Sequence, residues 1–95
     1  MNIYIALQGH TEYCGFSVYL GVVTNVEDYI NKKYRDYPQN SIAKHETEEG
    51  IYVGVIEDDD ETIISFNNDI ANKDYESAYY YSAYDSVFLK KESID

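Results

Sequence analysis

Two groups of side chains in this sequence are spaced closely enough to do chemistry. His10, Glu12 and Cys14 fall on one short stretch, and a thiol beside an imidazole is the minimum for a nucleophilic pair. The surrounding sequence argues against a catalytic centre. It holds no Gly-x-Ser-x-Gly, Cys-x-x-Cys or His-Glu-x-x-His, the only other histidine is His45, and a lone cysteine at the foot of a hairpin more often packs than reacts. The second group is Glu57, Asp58, Asp59, Asp60 and Glu61, five consecutive carboxylates within VIEDDDETIIS at 55–65. Carboxylates are hard ligands suited to Ca²⁺ or Mg²⁺, but a calcium loop alternates its ligands around a central glycine, whereas these are contiguous. Neither a metal nor a cofactor is expected, and the five scattered glycines make no phosphate-cradling loop.

The remaining chemistry of the acids is electrostatic. Of the 18 Asp and Glu, 14 fall between Glu46 and Asp95, against 7 Lys and Arg in the whole chain, for a net charge of −11. Solubility alone does not require such asymmetry. A surface of this charge repels nucleic-acid phosphates and anionic membranes and attracts basic proteins. Extended residues advance about 3.3 Å each, close to the roughly 3.4 Å between phosphates along one strand of duplex DNA. The run at 57–61, with Asp74 and Glu76 further on, therefore offers a basic groove a comparable line of charge. Tyr75, Tyr79, Tyr80, Tyr81 and Tyr84 lie beside these acids in the sequence, and tyrosine is the rigid anchor that protein interfaces favour. Glu57 to Glu61, Asp74, Glu76 and these five tyrosines form the expected partner-binding surface. The competing expectation is a solvated hairpin turn on a small regulatory or ligand-binding module, with its pocket near the His10 to Cys14 loop.

Stepping along the chain, Ile3, Ile5 and Leu7 alternate with Tyr4, Ala6 and Gln8 as in a strand, and Phe16 to Val23 is a second strand able to pair with it antiparallel. Thr24-Asn25-Val26-Glu27 has capping-box spacing, with Thr24 as the cap, so a helix is expected to follow. Its apolar stripe is Val26, Tyr29, Ile30, Lys33, Tyr34 and Tyr37, and it ends before Pro38. Strands are expected at Ser41 to Thr47 and Ile51 to Glu57, joined through Glu48-Glu49-Gly50. The acidic run then turns the chain, and Thr62 to Phe66 returns as another strand. Ala78 to Tyr84 fits a helix or a strand continuing into Val87-Phe88-Leu89, and its aromatic density favours the strand.

These elements sum to an α+β fold: an antiparallel sheet of about five strands with one helix, after the first hairpin, on one face. With 95 residues, one domain is expected. Twelve Tyr, three Phe and no Trp mean that many of the large side chains carry a hydroxyl needing water or a partner. One cysteine excludes an internal disulfide, and no apolar run is long enough for a membrane span, so a cytoplasmic protein is expected.

Short length, strong acidity, a hairpin-helix-sheet order and no catalytic signature resemble the small anti-defence proteins of phages and mobile elements, including anti-CRISPR proteins and other DNA mimics. The segment from Ile3-Tyr4-Ile5 through Gly21-Val22-Val23-Thr24-Asn25-Val26-Glu27 is similar to the first domain of ArdA-type antirestriction proteins, which are longer. The resemblance implies a non-enzymatic inhibitor occupying the nucleic-acid site of a basic, nucleic-acid-binding host defence protein. It implies no direct binding of nucleic acid and leaves a homodimer open.

Overall fold

The computed structural model describes residues 2–9, 15–56 and 59–93, without the side chains of Asn2 and 81–84. His10, Glu12 and Cys14 lie outside the described residues, as do Glu57 and Asp58.

The fold is α+β, built on a five-stranded antiparallel sheet. Strands β1 (Asn2–Gly9) and β2 (Phe16–Val23) form the expected hairpin, with Tyr4 opposite Val23 and Gly9 opposite Phe16. Helix α1 (Val26–Lys33) follows, then β3 (Ile42–Glu46) and β4 (Gly50–Ile56), paired with Ala43 opposite Gly54. Helices α2 (Asp60–Ala71) and α3 (Tyr75–Ser77) and a π-helical turn (Ala78–Ser82) lead into β5 (Ala83–Ser93). The strand order is β2-β1-β5-β4-β3, so the last strand sits at the centre and joins the two hairpins.

One face of the sheet is aliphatic. Ala6, Val23, Ile51, Val53, Val55, Val87 and Leu89 pack with Ile30 and Tyr34 of the α1 segment. Burying each large apolar side chain contributes about 1.5–3 kcal/mol relative to exposure. Within α1 the stripe lies where its period requires, with Val26 and Tyr29 at the margin of this core; the helix ends at Lys33, earlier than expected, with Tyr34 as its C-cap, and Tyr37 reaches the same margin from beyond it. Tyr34 is fully buried, and its hydroxyl donates to the Asp85 carbonyl at 2.8 Å. That bond satisfies the one polar atom the ring carries inside.

Three expectations need correction. The α1 cap is Asn25, whose side chain accepts from the Asp28 amide at 3.1 Å, and not Thr24. Asn and Thr both cap, and the helix begins one residue later than the capping-box spacing implied. Secondly, Thr62 to Phe66 is helical. Asp59 caps α2, accepting from the Glu61 amide at 3.1 Å, and Asp60 and Glu61 occupy its first turn. Carboxylates are favoured there by the helix dipole, so the described end of the acidic run starts a helix instead of turning a hairpin. Helical spacing brings Phe66 and Ile70 to the same side and leaves Ile64 60% exposed. The strand propensity of Thr62-Ile63-Ile64 is overridden by packing. Thirdly, the chain is helical through Ser82 and becomes β5 only at Ala83. The sheet consequently carries helices on both faces, α1 on one and α2 with the α3–π segment on the other.

Candidate partner-binding surface

The second face of the sheet is aromatic. Tyr52 of β4 stacks on Phe88 of β5 with centroids 4.3 Å apart, and on Tyr79 at 5.7 Å. Phe66 of α2 meets Tyr79 edge-on at 5.1 Å. Tyr79 is fully buried, and its hydroxyl bonds to Nδ1 of His45 on β3. Burial pushes the Tyr79 phenol well above the usual tyrosine range and lowers His45, so the hydrogen bond joins two groups whose uncharged forms are both favoured. Phe16 closes this layer against Tyr52 at 5.6 Å and Tyr80 at 6.3 Å. The Tyr80 ring lies so near Gly9 that a Cβ there would sit 3.0 Å from it.

Where this layer reaches the surface, two turns meet. The β3–β4 turn is fixed by Thr47, whose amide donates to the Gly50 carbonyl at 2.7 Å and whose hydroxyl receives the Gly50 amide at 3.3 Å. On its outer side the Lys91 amide donates to the Glu49 carbonyl at 2.8 Å. Gly50 is required by close approach: an added Cβ would stand 2.1 Å from the Leu89 carbonyl oxygen. The facing turn ends α2. Lys73 takes a left-handed conformation, φ 60°, its amide donating to Ile70 and the next amide, of Asp74, to Asp69 at 2.8 Å. This is a Schellman closure with lysine where glycine is usual. Asp74 at once caps α3 by accepting from the Ser77 amide at 3.3 Å.

Between these turns lies an open recess of about 430 Å³. Glu48 and Glu49 border it from the first turn, Asp74, Tyr75 and Glu76 from the second, with Tyr52 at its inner side and Lys73 as its one cation. The Tyr52 and Tyr75 rings are 6.1 Å apart and inclined by 21°. Tyr52 is raised first by burial and then by the charges of Glu76, Glu49 and Asp74, so three carboxylates act on one phenol.

The expected surface is thus divided. Asp59, Asp60 and Glu61 are exposed at the start of α2, while Asp74 and Glu76 are exposed beyond its end. The twelve residues of α2, which begin with Asp60 and Glu61, carry the chain from the first group toward the second, a span of about 18 Å at 1.5 Å per residue. Tyr75 is half-buried beside the second group, and Tyr80 is half-buried against Phe16. Tyr79, expected at the interface, is core. Glu57, Asp58 and the Tyr81 and Tyr84 side chains lie outside what is described. Glu48, Glu49 and Tyr52 were not among the expected residues. Their signal was the chain reversal at Gly50 next to paired acids, but nothing local says that it faces Asp74.

Ion pairs among the described residues use Asp85 with Lys33, Glu27 with Lys44 and Glu92 with Lys90. None uses an acid of the recess or of the α2 start. No group of three or more His, Cys, Asp or Glu among the described residues is placed to hold a metal ion. No described helix is long and apolar enough to cross a membrane. Fold and surface together define an α+β protein with an acidic, tyrosine-lined end. No protein family, curated protein or solved structure matches the chain.

Proposed function

We propose that this protein is a non-enzymatic inhibitor that engages a basic nucleic-acid-binding protein, of the kind used in host defence, through its acidic surface in the cytoplasm of the host cell. The observation that carries this reading is the charge bookkeeping above: Glu48, Glu49, Asp59, Asp60, Glu61, Asp74 and Glu76 are all free of cationic partners among the described ion pairs. Neighbouring surface carboxylates repel one another where no cation answers them, and the approach of a basic surface relieves that repulsion; those at the α2 start also serve its first turn. Two acidic groups about 18 Å apart along α2 suit a groove that follows a phosphate backbone. Long-range attraction of this kind raises association rates and decays with salt.

The test is capture on immobilised protein from nuclease-treated bacterial lysate over a salt series, followed by elution with duplex DNA. Nucleic-acid-binding proteins should be retained at low salt and displaced by DNA well below the ionic strength that salt alone requires. Replacing Asp59, Asp60 and Glu61 together by Asn, Asn and Gln should slow association and flatten the salt dependence. Retention that DNA does not displace, or that the triple variant leaves unchanged, overturns the reading.

A further inference from the structure

We propose that two copies of this protein associate through the outer face of the β1–β2 hairpin, packing against each other the apolar side chains that neither core layer covers.

The register places these side chains. Directly paired residues of neighbouring strands point to the same side of a sheet. Leu7 is opposite Phe88 on β5 and Tyr19 on β2, and Ile5 is opposite Val22. All of them therefore lie on the aromatic side, with Phe88. The π-helical turn of that side packs on β4 and β5, and Ile3, Ile5, Leu7, Tyr19 and Val22 belong to neither core layer. Tyr19 remains 63% exposed and Val22 53%. Folding of one chain leaves these groups in water.

Charge selects the occupant. Neither Asn2–Gly9 nor Phe16–Val23 contains an Asp, Glu, Lys or Arg. The opposite edge strand, β3, carries Lys44 and Glu46, both exposed, within five residues. Charges of that kind keep an edge from associating, and β2 has none. Lys90 and Glu92, opposite Ile5 and Ile3, answer each other at 3.7 Å, so the rim of the patch is neutral as well. A basic partner is drawn to the acids elsewhere on a −11 chain, and an acidic one is repelled by them. A two-fold contact instead sets this patch against itself, neutral on neutral. Glu76 lies against Gly15, four residues before Tyr19 and about 13 Å away along the strand. That exceeds the screening length of about 8 Å at physiological salt.

Size sets the strength. These side chains leave roughly 350 Å² of apolar surface on the face, in the range of the largest patch on a typical monomer. Two copies bury roughly twice that, and with the rim the total approaches the 1,000 Å² or so at which specific interfaces begin. The dimer is accordingly weak. Continuous pairing of two β2 edges is not its mode. Register shifts against β1 leave Ser17 and Leu20 without opposite residues, and such bulges twist an edge away from a new neighbour.

The experiment is sedimentation equilibrium of the full chain from micromolar to millimolar concentration, at low and high salt. A monomer–dimer equilibrium should appear and tighten as salt rises, because salt screens the repulsion between two acidic bodies and leaves the apolar contact. Capture of a basic partner changes with salt in the opposite direction, so the two readings fail separately. Tyr19→Ser with Val22→Thr should weaken the dimer by on the order of ten-fold or more, each change counting twice across the two-fold axis. Val22→Thr alone keeps the shape and β-branching of the residue and should weaken it in the same direction. Ile64→Thr, at a similarly exposed apolar position on α2, should leave it unchanged. A monomer at every concentration, or a dimer untouched by these hairpin variants, overturns the proposal. Equal weakening by Ile64→Thr moves the contact to α2 and overturns it too. Assembly beyond the dimer overturns the closed two-fold contact in favour of edge-to-edge growth. Monomeric protein that floats with neutral phosphatidylcholine vesicles, and is released by the double variant, overturns the second copy in favour of a lipid surface.

Discussion

The two faces of the sheet are filled by different chemistry. Against α1 the core is aliphatic around one fully buried tyrosine, Tyr34, whose hydroxyl is spent on a backbone carbonyl. Against α2 and the π-helical turn it is aromatic: Phe16, His45, Tyr52, Phe66, Tyr79 and Phe88 contact one another, and the layer continues outward through Tyr75 to the acidic recess. An aliphatic layer needs only to exclude water. An aromatic layer also carries hydroxyls, which must find partners inside or emerge at a surface. The second layer does both, and this is why the candidate site sits on its edge.

The sharpest way to break this comparison is to remove one central ring from each layer. Tyr34→Ala and Tyr79→Ala each empty a fully buried position and should each cost about 3–5 kcal/mol in denaturant unfolding. They should differ in what else they disturb. In the folded fraction, Tyr34→Ala should leave the Thr47 to Gly50 and Lys73 to Glu76 amide shifts unchanged, whereas Tyr79→Ala should move them, because Tyr79 supports Tyr52. Equal disturbance by both would mean that the sheet does not insulate its faces.

What the sequence allowed to be read divides along the same line. The first hairpin, α1 and its stripe, and the β3–β4 pair follow from period-2 and period-3.6 patterns that local residues set. The α2 side did not follow, for identifiable reasons. Residues 62–64 in it are β-branched, its cap stands in a run of carboxylates that equally suits a turn, and it is closed by a left-handed Lys73 where no glycine marks the stop. The π-helical turn has no composition of its own, so three consecutive tyrosines looked like strand. Tyr79 could not be told from Tyr80 by residue type; only the partner at His45 decides that one phenol goes inside. Acids at 48, 49, 74 and 76 were visible singly, but their meeting depends on a tertiary contact between turns about 25 residues apart.

A smaller effect sharpens the reading of the helix starts. Asn25→Ala and Asp59→Ala each remove a side chain that accepts a first-turn amide, and each should lower stability by about 1 kcal/mol. Thr24→Ala should change it by less than about 0.5 kcal/mol, as for an exposed residue away from such features. A full cap-sized loss at Thr24 with none at Asn25 would restore the capping-box assignment and shift the start of α1.

The smallest predicted effect concerns the polar pair inside the aromatic layer. Burial lowers the His45 pKa below its ordinary value of 6.5, so the folded protein binds this proton less readily than the unfolded chain. Above about pH 6.5 the imidazole is neutral in both states and its contribution to stability is complete. As pH falls below that value the unfolded chain takes up the proton first, stability declines, and the loss levels off below the folded pKa. Neutralising surface acids acts with opposite sign, since it relieves the repulsion of a −11 chain. The two contributions separate by comparison with His45→Gln, which keeps an acceptor but does not titrate. From pH 7.5 to 5.5 the Tm of the unmodified protein should fall relative to that variant. Parallel curves would show that the imidazole is as free to protonate in the fold as outside it, and the aromatic layer would then be open to water at His45.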